Sequence, residues 1–365
     1  IQRKKTHRAL PAWLDAPHIQ KILRNAEKDE TIKVSGITIK AATAKGDNYT
    51  SDMHRVAAEL TRIEDGREIQ EKRSLIVKLG STSLGAKSFH MQHEKPTHIV
   101  IEDLAPKGFR MADRRAGLDL DHSLLAIQNL ARFHAASIAQ MARNQSKVIG
   151  KRNFVSNYLT TRDLYFLNAA LFLLLRIREK IYKLSEVLYE KGCEAAHCRE
   201  GDFNVLNHGD FWVNNMLFRY DEQRKRPIDH IFVDFQISYY GSPAFDLLYF
   251  FGTSPCDDVR LHHRESLLLE YHTTLTSTMI KLKCETEVLS FDKLQEELKK
   301  KAVCEIFASI TIFPFVVLEK GEEIDFNAMF TLDGDGYESG HGGKLYRKIM
   351  TRLLPWYDSM GFLDV

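Results

Sequence analysis

The residues best suited to chemistry lie in one stretch, Asn207-His208-Gly209-Asp210-Phe211-Trp212-Val213-Asn214-Asn215, followed by Asp234-Phe235-Gln236. Asn215 stands five residues after Asp210. Between Asn215 and Asp234, two apolar runs, Met216 to Phe218 and Ile231 to Val233, flank the charged and turn-prone Asp221 to Pro227. That pattern predicts two strands joined as a hairpin. In an antiparallel hairpin the start of one strand lies beside the end of the other, so Asn215 and Asp234 come to the same end, with Asp210 just ahead in the loop. An amide oxygen and carboxylates gathered there suit a hard cation such as Mg²⁺, which takes few protein ligands and completes its shell with water and substrate phosphates. A His-Gly-Asp triplet alone is only a turn, because Gly and Asp are ordinary turn residues. The hairpin and a further carboxylate, Asp246, are what give it weight.

The elements that must position these groups emerge from periodicity. After the hairpin, Ala244-Phe245-Asp246-Leu247-Leu248-Tyr249 opens a helix-like segment, and amphipathic helices are predicted over Leu261 to Leu282, Phe291 to Phe307 and Leu345 to Met360. Before it, Asp121 reads as the N-cap of a helix whose face runs through Leu124, Ile127, Leu130 and His134 to about Ala142, with His134 a packed residue and not a catalyst. A second long helical region spans Phe154 to Lys191. Near the start, a short helix from Ala12 to Ala26, with Asp15 and Pro17 near its beginning, precedes strands over Val34–Ala44, Met53–Leu60, Ser74–Leu79 and His98–Ile101.

The string His208-Gly209-Asp210 with Asn215 and Asp234-Phe235-Gln236 resembles the catalytic loop and metal-binding segment of the aminoglycoside phosphotransferase and choline kinase group. With Phe211-Trp212, Ile237-Ser238 and Gly241-Ser242-Pro243-Ala244-Phe245-Asp246-Leu247-Leu248-Tyr249, the resemblance is closer to the ecdysteroid-kinase-like (CHK kinase-like) family. It implies an α+β, two-lobed protein-kinase-like fold: an abbreviated antiparallel-sheet lobe over 1–100, a hinge over 101–108 and a mainly helical lobe over 109–365. It also implies an ATP- and Mg²⁺-dependent kinase acting on the alcohol hydroxyl of a small molecule, an ecdysteroid or a hydroxylated xenobiotic. In that scheme Asp210 orients the acceptor hydroxyl and takes its proton, while Asn215 and Asp234 hold Mg²⁺ on the phosphates. Asp246 hydrogen-bonds the catalytic-loop backbone and His208 supports the loop. Asn48 and Ser51 fall in a turn, Gly46 to Ser51, that resembles the family's phosphate-covering loop, and Glu102 to Leu104 resembles the linker whose backbone meets adenine.

Lys78 sits within the apolar strand Ser74 to Leu79. A buried ammonium is costly without an anion, so it reads as a partner of the ATP phosphates; the alternative is an edge-strand lysine reaching water. In the family the strand lysine is followed by a helix carrying its glutamate partner and then by another strand. Here only Gly80 to Pro96 separates Lys78 from the next strand, too few residues for both elements, and the one acid is Glu94. Two readings of the shortened lobe stay open: an active kinase, and a non-catalytic kinase-like binding protein or inactive truncated isoform.

Composition bounds the rest. With 365 residues, 44% hydrophobic, 27% charged and a formal net charge of +2, the chain has neither the basic excess of a nucleic-acid binder nor a membrane-like composition. The most apolar window, Leu167 to Ile177, falls short of the about 20 residues that span a bilayer. Five cysteines form no paired framework, and no apolar signal segment follows Ile1-Gln2-Arg3-Lys4-Lys5, so the expected compartment is the reducing cytoplasm. Cys193, His197 and Cys198 read as a helix-end loop and not as zinc ligands. Asp333-Gly334-Asp335-Gly336 lacks the downstream acids of a calcium loop.

Overall fold

Asp65-Gly66, a dipeptide made for tight hairpins, turns the chain between its two longest strands. Both residues have positive φ (50° and 76°), as a two-residue type I′ turn requires. The computed structural model describes residues 11, 13–42, 52–79, 86–92, 94, 95, 97–143, 175–195, 202–221, 223, 225–318 and 343–364. The chain divides into two units, Ile1–Pro106 and Lys107–Val365.

The first unit is an antiparallel sheet with one helix. Helix α1 (Ala16–Glu27) is capped by Asp15, whose side chain accepts the His18 N–H at 2.9 Å, and has Pro17 in its first turn. Strands β1 (Lys33–Ala41), β2 (Asp52–Glu64), β3 (Arg67–Leu79), β4 (Ser88–Gln92) and β5 (His98–Glu102) pair in the order β1-β2-β3-β5-β4. Ile19, Ile22 and Leu23 of α1 lie at helical spacing and join Val56, Leu75, Val77 and Val100 in the core of this unit.

One alternative is removed here and one expectation is corrected. β3 has neighbours on both sides, so Lys78 is not an edge residue; it is 4% exposed, between Met53 and Ile99 in the ladder. The strand thought to be missing before the hinge is present as β4, which pairs with β5. Among the described residues no helix lies between β3 and β5.

The second unit is mainly helical. Strand β6 (Phe109–Met111) pairs with β8 (Met216–Tyr220), which pairs with β9 (Pro227–Phe232); β7 (Val205–Asn207) pairs with β10 (Tyr239–Gly241). The helices are α2 (Leu120–Arg143), α3 (Leu175–Ala195), α4 (Ala244–Thr253), α5 (Asp257–His262), α6 (Arg264–Lys281), α7 (Phe291–Lys300), α8 (Val303–Thr311), α9 (Phe313–Val316) and α10 (Lys344–Ser359). α2 begins one residue before the expected cap: Asp119, not Asp121, accepts the His122 N–H at 3.0 Å. The helix expected over 291–307 is two helices, α7 and α8, separated at Lys301-Ala302. The expected helix from 154 onward enters the described residues only as α3.

Helix α4 is wholly enclosed by its neighbours: all ten of its residues are buried. α8 packs directly on it at Gly252, where a Cβ would stand 2.8 Å from the Glu305 carbonyl oxygen and 3.0 Å from the Ala308 Cβ. Beside that contact, Arg264 makes a buried two-pronged ion pair with Glu305 (3.0 and 2.8 Å) and stacks on Phe251 of α4. Among the described residues no helix is long and apolar enough to cross a membrane.

Candidate active site

The hairpin forms in the register the apolar runs imply, with Met216 opposite Phe232. One step beyond the ladder, the Val233 N–H donates to the Asn215 carbonyl oxygen at 2.9 Å, so Asn215 and Asp234 stand at the same end. The single 3₁₀ turn Val213–Asn215 leads into β8 and folds Asn215 back on the loop. Its Nδ2 donates to the Asp210 carbonyl oxygen and to Asp210 Oδ2, both at 2.9 Å. With the nitrogen of the amide so engaged, its oxygen is the half suited to a cation.

Asp234 has φ +72°. A left-handed backbone at a residue other than glycine costs on the order of 1–3 kcal/mol and is retained where the surroundings over-determine it, often at functional sites. Gly209 has φ +85°, and a Cβ there would come within 2.3 Å of the Ile237 carbonyl oxygen. Only glycine fits this turn.

Asp246, 1% exposed, anchors the loop from α4. Its Oδ2 accepts the His208 N–H (2.7 Å) and its Oδ1 accepts the Gly209 N–H (2.9 Å). His134 Nε2 donates to the same Oδ2 at 3.1 Å, and the Tyr271 hydroxyl meets His134 Nδ1 at 2.7 Å. Burial drives the Tyr271 phenol well above its ordinary pKa, so it stays protonated and is the donor in that contact. Tyr271, His134 and Asp246 thus form one buried chain of hydrogen bonds ending on the backbone before Asp210.

His208 is fully enclosed, and burial holds its pKa below the usual histidine value despite the opposing pull of Asp246. The neutral ring uses both nitrogens within the loop. Nε2 donates to the Val233 carbonyl oxygen at 3.1 Å, and Nδ1 accepts the Asp210 N–H at 3.3 Å. The ring is therefore committed to tying the loop to the hairpin.

Tyr249 completes the arrangement: its hydroxyl donates to Asp210 Oδ1 at 2.8 Å. Sequence reasoning passed over it and over Tyr271, and read His134 as packing alone. The one available signal was spacing, since Tyr249 lies three residues after Asp246 and so on the same face of α4.

Asp210, Asn215, Asp234, His208 and Asp246 thus belong to one loop, hairpin and helix of the second unit. Lys78 lies in the first unit, as do Glu102 and Leu104. The Glu102 N–H is taken by the Lys87 carbonyl oxygen at 2.8 Å, and Leu104 is buried. Between them Asp103 binds Arg55 and the Ser74 hydroxyl, each at 2.6 Å. Asn48 and Ser51 lie outside the described residues, as do His197, Cys198 and Asp333 to Gly336. Among the described residues no group of three His, Cys, Asp or Glu side chains is arranged to hold a metal. The donors at hand are the hard oxygens of Asn215 and Asp234, a set that fits Mg²⁺ shared with phosphates better than a metal caged by protein alone.

An α+β chain with an antiparallel-sheet unit, a mainly helical unit and this loop and hairpin has the make-up of the kinase-like fold class. It belongs to the ecdysteroid kinase-like family, whose model matches residues 80–284, more than half of the chain. The match takes in Gly80 to Pro96, the segment that carries β4, and it starts after Lys78. Among solved structures, the chain is similar to a Plasmodium vivax ethanolamine kinase: identity is 12%, coverage 89% of this chain and 84% of that one, and the TM-score 0.43. It is also similar to a glucosamine kinase in complex with glucosamine, ADP and inorganic phosphate, at 12% identity, 83% and 97% coverage and a TM-score of 0.38. No curated protein matches it significantly in sequence.

Proposed function

We propose that this protein is an ATP- and Mg²⁺-dependent kinase that phosphorylates an alcohol hydroxyl of a small molecule, an ecdysteroid or a hydroxylated xenobiotic. The observation that carries the reading is the pair of bonds on Asp210. One of its carboxylate oxygens is held by Asn215 and the other by Tyr249, on a loop anchored through Asp246. A carboxylate fixed in this way orients an acceptor hydroxyl and takes its proton. Asn215 and Asp234 would hold Mg²⁺, which when bound neutralises charge on the transferring phosphates. Lys78, Asn48, Ser51, Glu102 and Leu104 are assigned to ATP on the family resemblance. The same reading places the protein in the cytoplasm, in keeping with free thiols at Cys193, Cys256, Cys284 and Cys304.

A second reading, a non-catalytic kinase-like binding protein, is favoured by one observation, the lack of a helix between β3 and β5 among the described residues. Mg²⁺-dependent transfer of labelled phosphate from ATP to a panel of ecdysteroids and hydroxylated plant compounds separates the two. The kinase reading expects transfer, and a drop of at least about 100-fold in Asp210→Asn, the lower range of a general base's contribution. Raised melting temperature with Mg²⁺-ATP but no transfer to any acceptor would favour the binding protein. Undiminished transfer by Asp210→Asn would remove Asp210 from its role.

A further inference from the structure

Among the described residues Arg260 of α5 is the largest side chain to be fully enclosed, at 1% exposure. Its Nε, Nη1 and Nη2 are all buried, and none of them meets a hydrogen-bond partner. A guanidinium carries five N–H donors and keeps its charge inside a protein. The ring of Phe313 in α9 lies over it, 4.6 Å from the guanidinium carbon, a contact far weaker than the cost of burying an uncompensated charge.

The charged groups around it do not balance. The carboxylates that act on Arg260 are those of Asp257 and Glu305, and both are already paired. Glu305 gives its two oxygens to Arg264 at 3.0 and 2.8 Å, and Asp257 meets Arg352 at 3.1 Å. Three guanidiniums thus share two carboxylates, and the positive charge left over sits on the most deeply buried of them. We propose that Arg260 is the centre of a buried binding site for a small monovalent inorganic anion of chloride's size, between α5, α9 and α10.

The class of ligand follows from what is unmet. Water would accept from the guanidinium but leave its charge uncompensated, whereas an anion answers both needs. The Tyr357 hydroxyl of α10 is a further buried donor: Ser309 and Glu305 lie near it, yet no group meets it in hydrogen-bond geometry. A ligand that only accepts suits a place where the unmet groups can all donate. One surplus charge calls for a monovalent ion, and enclosure by protein calls for a small one. Glu305, bonded by Arg264 and acted on by Arg260, connects this place to the ion pair behind α4. Removing the surplus charge from that cluster links anion binding to the stability of the second unit, whatever the protein's activity.

The test is thermal unfolding of the full chain, with sodium chloride titrated against sodium gluconate at constant ionic strength. The wild type is expected to gain about 3 °C for each tenfold rise in chloride above its dissociation constant, and bromide is expected to act alike. Arg260→Met keeps much of the length and apolar bulk but removes the charge. It is expected to abolish the halide dependence and to melt in gluconate no lower than the wild type, because no uncompensated ion is then buried. Arg219→Met, which removes a half-exposed guanidinium elsewhere in the same unit, is expected to keep the dependence. Equal melting of the wild type in chloride and gluconate would overturn the proposal, and so would a halide dependence that survives Arg260→Met. Should Arg260→Met fail to fold, wild-type crystals grown in sodium bromide decide. Anomalous density in contact with the Arg260 guanidinium supports the site, and its absence there overturns it.

Discussion

Replacing Asp246 by Asn tests whether the loop is held by charge or only by shape, since the two side chains are nearly isosteric. In the native protein the carboxylate accepts three bonds while 1% exposed: from the His208 N–H, the Gly209 N–H and His134 Nε2. An amide offers one oxygen and one NH₂. With the oxygen kept on Gly209, the NH₂ faces the His208 N–H and His134. His134 can adapt by moving its proton to Nδ1, donating to the Tyr271 oxygen and accepting from the new NH₂. The His208 N–H cannot adapt and becomes a buried donor facing a donor. One orphaned backbone group costs about 1–3 kcal/mol, and the exchange of a charged acceptor for a neutral one on Gly209 adds about 1 kcal/mol more. The expected loss is therefore on the order of 2–4 kcal/mol. Urea unfolding followed by tryptophan fluorescence and circular dichroism measures it, with the change confined to the transition that reports residues 107–365. A loss under about 0.5 kcal/mol would refute the reasoning, because it would mean that the loop backbone finds other partners at no cost.

Two further predictions concern the same region. Gly209→Ala places a methyl 2.3 Å from the Ile237 carbonyl oxygen on a backbone of φ +85°, so phosphate transfer should be lost while far-UV circular dichroism stays near wild type; wild-type rates would show that the loop has another conformation open to it. His230, packed between Phe218 and Phe232, has its pKa pushed down to about 3 by burial, with His208 and His122 adding to the effect. The unfolded chain protonates His230 near pH 6.5 and the folded chain does not, so stability is intact above that pH and declines toward pH 3. Between pH 6.5 and 5 the loss is about 2 kcal/mol from this residue. His230→Gln should flatten the pH dependence of the urea midpoint over that range, and an unchanged slope would count against the assignment.

How much of this was legible in the sequence depends on how far apart the partners lie. The β8–β9 hairpin was, because both arms carry apolar runs and the turn between them is charged, and the end it defines for Asn215 and Asp234 comes from antiparallel geometry alone. The outer half of the β2–β3 hairpin was not read: Arg62, Glu64, Arg67, Glu68, Glu71 and Lys72 leave little apolar alternation there, and the useful signal was Asp65-Gly66. β7 and β10 have three residues each, too few for periodicity to register. The start of α2 was placed at Asp121, while Asp119, two residues earlier and with the same capping chemistry, is the residue that accepts the His122 N–H. The Tyr271–His134–Asp246 chain joins three helices, and Tyr249 meets Asp210 across 39 residues. Pairings of that kind arise from tertiary packing and leave no local trace.

The place of α4 explains why such distant pairings are concentrated here. A carboxylate proposed to act as a base needs a fixed orientation, and a loop supplies little rigidity of its own. α4 supplies it. The helix is buried along its whole length, Gly252 lets α8 press against it, and the Arg264–Glu305 pair locks the far side through the ring of Phe251. Asp246 and Tyr249 are then two points on one rigid rod, and the loop touching both has little freedom left to rotate Asp210. The packing of α4 against α8, remote from any reacting atom, is in this sense part of the site: a shift of the helix moves the backbone anchor and the phenol together, and the geometry of Asp210 with them.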